Sequence, residues 1–577
     1  MKKKLLPALI VTGLIILVVI IMGITALINK YTPTKKTEDL KEYFNISSDD
    51  EAALIVDNEL SDYKAKIIDK KIYVDYKFVH DSLNSRFYWD ANENVLLYTT
   101  ASDIISAAAD SNSYSVTKQT NDFGYPIVKA TSDSALIALD YVKQYSNITF
   151  KSYDDPARIV ITSKWDEIDS ATVSKSTQVR VKGGIKSPIL KEVKKDDKIT
   201  ILDSGDKWDK IATEDGVIGY IKGKALSESK KTKLTNPDYE EETFTHIKKD
   251  KDICLAWNQV TSQSANSKVP QVISSTKGIN VMSPTWFYLN DNNGNLADIA
   301  SKDYVSYCHS QGIEVWGLFS NFENTDVDAA YVLTHTSTRT TLINQIMSAA
   351  FNYELDGVNI DFENITEAAY GDSYIEFIRE LAIKCHNNGI SLSVDVTVPA
   401  SFNKFFNRSD MANFADYIVI MGYDEHYKGS DAGSVSSIPW VTEGVESTLK
   451  EVPSDQIILG MPFYTRIWEL TPKEDDDAVT DTEDQSKYTV ASQVYSMDAA
   501  AAQLATNNAT AALDEESGQN YAEWSVSNKL YKVWLEDSTS LEKRLKLLDD
   551  NKLAGAAFWK LGFENSSVWD TVIKYLD

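Results

Sequence analysis

Three polar side chains at alternate positions, Asn359, Asp361 and Glu363, stand in the run Leu355-Asp356-Gly357-Val358-Asn359-Ile360-Asp361-Phe362-Glu363. Successive side chains of a β-strand point to opposite faces, so these three share one face and Val358, Ile360 and Phe362 the other. Carboxyl groups gathered in this way can move protons and steady positive charge in a reaction. In a parallel barrel strand the apolar face meets the surrounding helices and the other face points into the barrel. Burying an unpartnered acidic row is costly, so a strand end that gathers one at the mouth of a barrel is a catalytic candidate. The same alternation also fits an antiparallel strand with its polar face in water.

The words around this strand favour the first reading. The stretch resembles the D-G-x-D-x-D-x-E signature of glycoside hydrolase family 18: Asp356, Gly357, Asp361 and Glu363 match, and Asn359 replaces the middle Asp. Later words of that family recur in order, as Met421-Gly422-Tyr423-Asp424, Gly460-Met461-Pro462-Phe463-Tyr464 and Ala556-Ala557-Phe558-Trp559. The resemblance covers roughly Thr245 to Asp577 and looks most like the spore-cortex and cell-wall hydrolases of bacteria.

This resemblance implies roles for particular residues. Glu363 would be the general acid and later the base, its pKa raised by Asp361 and partial burial. Asp361 would orient the substrate's acetamide and stabilise an oxazolinium-like intermediate, since in this family the N-acetyl group of the substrate is the nucleophile. Tyr423 would hydrogen-bond the acetamide oxygen, Asp424 would contact the same sugar or the acetamide, and Trp559 would form the floor beneath the sugar. Tyr464 and Arg466 are expected on the cleft wall, with Trp257, Trp286 and Trp316 as further cleft candidates. Asp356 and Gly357 are expected to be structural. Asn359 is expected to donate a hydrogen bond to Asp361, which should then stay ionised to lower pH than a member of a carboxylate pair.

Positioning such a site requires alternating strands and helices. Eight strand candidates follow residue 244: Ile253–Trp257, Gly278–Met282, Glu314–Phe319, Gly357–Phe362, Ser391–Val396, Tyr417–Met421, Ile457–Met461 and Ala554–Trp559. Helical stretches such as Thr341–Tyr353 and Ala368–Asn388 separate several of them. The expected fold is an α/β chain whose residues 245–577 form a (β/α)8 barrel with insertions. The gap from Trp468 to Leu541, with Asp475-Asp476-Asp477 and Ala499–Ala502, must hold an excursion that the pattern does not place.

The N-terminal half reads as smaller pieces. Met1-Lys2-Lys3-Lys4 precedes an uncharged apolar run, Leu5 to Asn29, long enough to span a bilayer. Residues 1–30 are therefore expected to be an uncleaved single-pass anchor in the cell membrane, with the remainder outside it by the positive-inside rule; a cleaved signal peptide is the alternative. Residues 31–47 read as a tether and 48–165 as a small α+β domain weakly resembling the N-terminal domain of copper amine oxidases. Within it, Ser134 to Tyr145 has helical spacing. Residues 171–228, with Trp208 and Tyr220, resemble a small all-β SH3-like barrel, and 229–244 read as a linker.

Composition narrows the function. A formal net charge of −27 over 577 residues argues against nucleic acid and fits neutral glycans. Cys254, Cys308 and Cys385 are odd in number and read as small buried residues. The six histidines are scattered, and neither a metal nor an organic cofactor is expected. The expectation is a membrane-anchored hydrolase of β-1,4-linked N-acetylglucosamine glycans, with peptidoglycan ahead of chitin, and a non-catalytic glycan-binding protein as the alternative of another class.

Overall fold

A computed structural model of the chain describes residues 5–363, 365, 368–473 and 484–576. They fall into two compact units: Met1–Trp89 with Ala107–Tyr114 and Asn121–Glu241, and Asp90–Ser106 with Ser115–Thr120 and Glu242–Asp577.

In the first unit Leu5–Tyr31 is one helix. Its segment Pro7–Tyr31, whose most apolar 18-residue window has a mean hydropathy of 2.9 and none of it buried, is long and apolar enough to cross a membrane. The Lys2–Lys4 cluster lies outside the described residues. The tether reading of 31–47 needs correction. Leu40–Tyr43 is a helical turn, and Phe44 is fully buried in a cluster with Ala53, Ile55, Val173 and Ile211. Apolar side chains in that stretch outweigh its charge.

Two seven-stranded sheets share this core. One runs, in spatial order, Thr149–Tyr153, Arg158–Thr162, Glu51–Val56, Glu59–Ile68, Lys71–Asp75, Ala135–Ala138 and Val128–Ala130. The other runs Ile189–Val193, Thr177–Arg180, Ile218–Lys222, Trp208–Thr213, Lys198–Asp203, Glu167–Thr172 and Lys230–Lys233. The last of these strands occupies the expected linker. The helix expected over Ser134–Tyr145 shortens to Leu139–Gln144, because Ala135 and Ile137 alternate into the core and Ala135–Ala138 pairs as a strand.

The second unit is built on a closed barrel of eight parallel strands: β1 Ile253–Asn258, β2 Val281–Leu289, β3 Glu314–Ser320, β4 Gly357–Asp361, β5 Ser391–Thr397, β6 Tyr417–Met421, β7 Ile457–Pro462 and β8 Gly555–Trp559. Pairing of β1 with both β2 and β8 closes the ring. Val358, Ile360 and Phe362 pack outward with helices Thr336–Tyr353 and Ala368–His386. Leu255, Val281, Trp316, Tyr417, Val419 and Ile458 fill the interior. The polar row of β4 therefore points inward above an apolar plug, and closes at the C-terminal ends of the strands.

Gly357 is required by close approach: a Cβ there would lie 2.5 Å from Trp316 Cδ1. Asp356 Oδ2 accepts from His309 Nε2 and from Val315 N, both at 2.8 Å. Within the stretch expected as one small domain, 48–165, Asp90–Ser106 and Ser115–Thr120 group with the barrel. Buried Asp90 accepts from Thr336 N at 2.7 Å and Thr336 Oγ1 at 2.6 Å. It thereby supplies the N-terminal cap that His335 does not give helix Thr336–Tyr353.

The excursion after β7 is a five-stranded antiparallel sheet. Its spatial order is Tyr488–Ser496, Tyr464–Pro472, Lys529–Leu535, Gln519–Val526 and Ala512–Asp514. The alanine run lies in helix Met497–Thr506, whose Leu504 packs on Ile467, Ala522 and Val533 of this sheet. Asp475–Asp477 lie outside the described residues.

Candidate active site

A cleft of 580 Å³ opens at the C-terminal end of the barrel, lined by Asp361 and Glu363 from β4 and the turn after it, Asp395 and Thr397 from β5, Met421, Tyr423 and Asp424 around β6, and Trp559 ending β8. Trp257, Gln259, Tyr288, Phe322 and Glu323 are also among the residues of its walls. Six of the expected site residues, Asp361, Glu363, Tyr423, Asp424, Trp559 and Trp257, thus converge on one space.

Glu363 reaches the exposed mouth of the cleft. The walls still crowd its carboxyl, so burial raises its pKa, and the negative Asp424 and Glu323 raise it further. The charge beside Glu363 thus comes from loops after β3 and β6. Glu323 is held there by Ser320 Oγ, 2.6–2.7 Å from its two carboxylate oxygens. Asp424 sits at φ +61°, a left-handed conformation that Asp tolerates. Tyr464 donates its hydroxyl to Asp424 at 2.5 Å, and Arg466 Nη2 lies 3.9 Å from the same carboxylate oxygen. Both side chains thus meet Asp424, and neither is among the residues that line the cleft.

Beneath Glu363 the floor is a buried polar cluster. Asn359 makes four hydrogen bonds. Its Oδ1 accepts from Trp257 Nε1 and Ser283 Oγ, both at 2.9 Å. Its Nδ2 donates to Ser393 Oγ at 3.0 Å and to Asp395 Oδ1 at 2.7 Å. An indole N–H can only donate, so Trp257 fixes which end of the amide faces which neighbour. The expected bond from Asn359 to Asp361 is absent; the amide is spent on Asp395.

The expectation that Asp361 stays ionised to low pH is overturned with it. Asp361 is 6% exposed, and its buried Oδ1 has no hydrogen-bond partner among the described residues. Burial first, then Asp395, Glu363 and Glu323, raise its pKa well above the usual carboxylate range. Asp395 is raised too, by burial and by Glu363, against the lowering effect of the Asn359 amide.

The tryptophans divide by position. The Trp257 ring is buried and meets Trp559 edge-on at 6.0 Å and Tyr423 at 6.5 Å, so it braces the half-buried Trp559 and holds Asn359. Trp286 and Trp316 are not in the cleft. Ser283 points inward, so Trp286, three residues on, points outward; its indole donates to Asn266 at 2.8 Å and its ring packs on Tyr304. Trp316 points inward but at the wrong end, level with Gly357 and stacked on Tyr417 at 5.6 Å.

Sequence reasoning missed Asp395, Glu323 and Ser283. Asp395 carried the same signal as β4, because Ser391, Ser393, Asp395 and Thr397 alternate with Leu392, Val394 and Val396. Glu323 lies in a loop, where no period marks it. Cys254, Cys308 and Cys385 are buried and free.

A buried acid that holds its proton destabilises the fold at neutral pH. The unfolded chain ionises Asp361 near pH 4, whereas the folded chain retains its proton to higher pH, so stability falls as pH rises through that interval. Asp361→Asn should therefore raise unfolding stability at pH 7 by about 1–3 kcal/mol, with the gain vanishing below about pH 4. Thermal unfolding at both pH values measures it, and an unchanged melting temperature at pH 7 would count against the raised pKa.

Residues 323–564 match the family model for glycosyl hydrolases family 18. The "Uncharacterized glycosylase YvbX" of Bacillus subtilis strain 168 is 24% identical over 302 residues, covering 49% of this chain and 81% of that protein. The "Cortical fragment-lytic enzyme" of the same organism is 24% identical over 287 residues, covering 48% of this chain and 63% of that protein. The solved C-terminal domain of a candidate chitinase from Desulfitobacterium hafniense DCB-2 superposes with a TM-score of 0.50 at 18% identity, covering 57% of this chain and 100% of that domain. The match to that family lies within the barrel, from the loop after β3 to just past β8.

Proposed function

We propose that the chain is a membrane-anchored enzyme, facing outward, that hydrolyses β-1,4-linked N-acetylglucosamine glycans of peptidoglycan. The observation that carries the catalytic part is Glu363 at the mouth of the cleft with a raised pKa, above a floor whose acids Asp361 and Asp395 are also raised. A proton held on Glu363 toward neutral pH can pass to the glycosidic oxygen as the bond to the anomeric carbon breaks. The acetamide oxygen of the same sugar attacks that carbon, giving a cyclic cation with retained connectivity to the ring. Asp361 faces the acetamide nitrogen, Tyr423 its oxygen, and Trp559 the apolar face of the sugar. Glu363, now ionised, takes a proton from the incoming water, which opens the ring and restores the starting state. Asp424, braced by Tyr464 and Arg466, contacts the same sugar.

Peptidoglycan as substrate is supported by the likeness to a cortical fragment-lytic enzyme and by the apolar N-terminal helix. Partial exposure of Trp208 and Tyr220 on the second sheet of the first unit supports a glycan- or peptide-binding surface there, as in an SH3-like wall-binding module. The deciding experiment incubates the full chain in detergent with muropeptides and, separately, with chitin oligomers, and weighs the products. Release of N-acetylglucosamine-ended muropeptides is expected; cleavage of chitin oligomers alone would make it a chitinase-type enzyme. For the anchor, the C-terminal portion should be digested by protease added to intact protoplasts. Its protection, or its release after cleavage near Asn29, would contradict the uncleaved outward-facing helix.

A further inference from the structure

Asp395 has no part in the mechanism above, and its surroundings give it one. It is 3% exposed, lines the floor of the cleft with Asp361, and receives the Asn359 amide at 2.7 Å. The Asp361 oxygen Oδ1 is buried there without a hydrogen-bond partner among the described residues. No Lys or Arg is among the described residues that line the cleft, and two carboxylates in one buried space cannot readily both be charged.

We propose that Asp395 is a positioning residue of this hydrolase: it shares one proton with Asp361, and takes that proton when Asp361 must present negative charge to the acetamide. The inference rests on the roles of Glu363 and Asp361 proposed above. The step balances. An O–H bond of Asp361 breaks, an O–H bond forms on Asp395, and the pair keeps one negative charge throughout. At rest the Asn359 amide favours the charge on Asp395, so the proton sits on Asp361. The cation formed from the acetamide then draws the negative charge to Asp361. Other ionisable groups face the pair: Glu363 and Glu323 from the turn after β4 and the loop after β3, Tyr423 from the end of β6, and Tyr374 from helix Ala368–His386. Those carboxylates oppose a second negative charge in the pair.

With Asn at 359, strand β4 lacks a second carboxyl next to Asp361, and β5 supplies it from the neighbouring register position, Ser393 being paired with Asn359. A carboxyl moved back to β4 should therefore substitute for the one on β5. The test uses the full chain in detergent with 4-nitrophenyl N,N′-diacetylchitobioside, measuring kcat, KM and the pH profile of kcat/KM. For Asp395→Asn, kcat should fall at least about tenfold with KM within about threefold, and one ionisation should disappear from the profile. The double variant Asn359→Asp/Asp395→Asn should recover most of the lost kcat together with that ionisation. A purely structural role for Asp395 would give no such recovery. A wild-type kcat and profile for Asp395→Asn would overturn the proposal, as would a loss that the double variant leaves unchanged. If Asp395→Asn alone fails to fold, the double variant decides by the same two readings. Glu363→Gln run in parallel separates the layers: if it is inactive while Asp395→Asn is normal, only the shared proton is wrong, whereas an active Glu363→Gln removes the acid on which the inference stands.

Discussion

Glu363→Gln is expected to lower kcat by at least about a hundredfold while sugar binding survives. The amide keeps the shape of the side chain but has no acidic proton to pass to the leaving oxygen. In the wild type that proton is retained toward neutral pH because burial, Asp424 and Glu323 all disfavour the ionised form. The sign follows: hydrolysis declines as pH rises through the raised pKa of Glu363, and this basic limb should be missing from whatever residual activity the variant keeps. On the proposed reading sugar binding comes from other groups, chiefly Trp559 and the rim of the cleft, and is read from quenching of tryptophan fluorescence by a chitin oligomer, with Kd expected within about threefold of wild type. Near-normal turnover by the variant would remove Glu363 from the mechanism.

What could be read from the residues alone follows from the range of each interaction. The period-2 alternation in β4 is local, and it placed Val358, Ile360 and Phe362 against helices and Asn359 and Asp361 inside. The same local signal marks seven of the eight strands within about two residues. Strand β2 was displaced, expected at Gly278–Met282 and found at Val281–Leu289, and Trp286 was misplaced with it. Height along a barrel strand is not in the alternation, so Trp316 could be read as inward but not as basal. Hydrogen-bond partners are set by which strands become neighbours. Asn359 therefore looked like a partner for Asp361 in its own strand, when β5 brings Asp395 closer to its amide. The excursion was illegible for the same reason: Tyr464–Pro472 pairs with Lys529–Leu535 across about sixty residues, and no short pattern announces such a pairing. Phe44 shows the converse, a buried side chain inside a stretch whose charge reads as tether.

A substrate whose reacting sugar has lost its acetyl group should be refractory, with kcat/KM lower by at least about a thousandfold. The floor of the cleft decides which group can attack. A retaining glycosidase needs a nucleophile there, and the carboxyls available are Asp361 and Asp395. Asp361 is buried and holds its proton well above the usual carboxylate range, a protonated carboxyl attacks poorly, and the charge on Asp395 is tied up by the Asn359 amide on the floor. Glu363 is committed to the leaving oxygen. The acetamide oxygen of the substrate is then the nucleophile in reach, and its attack is intramolecular, which accounts for the size of the expected loss. Removing the acetyl group also leaves an ammonium facing Asp361, so the variant substrate can still bind. The loss should therefore lie in kcat rather than KM. The measurement compares partly deacetylated with fully acetylated oligomers of equal length, and follows the first-formed anomer by proton NMR. Retention of configuration with the acetylated substrate is expected. Inversion, or equal rates on the two substrates, would mean that water or a protein carboxylate attacks the anomeric carbon directly, and would return Asp361 to the role of base or nucleophile.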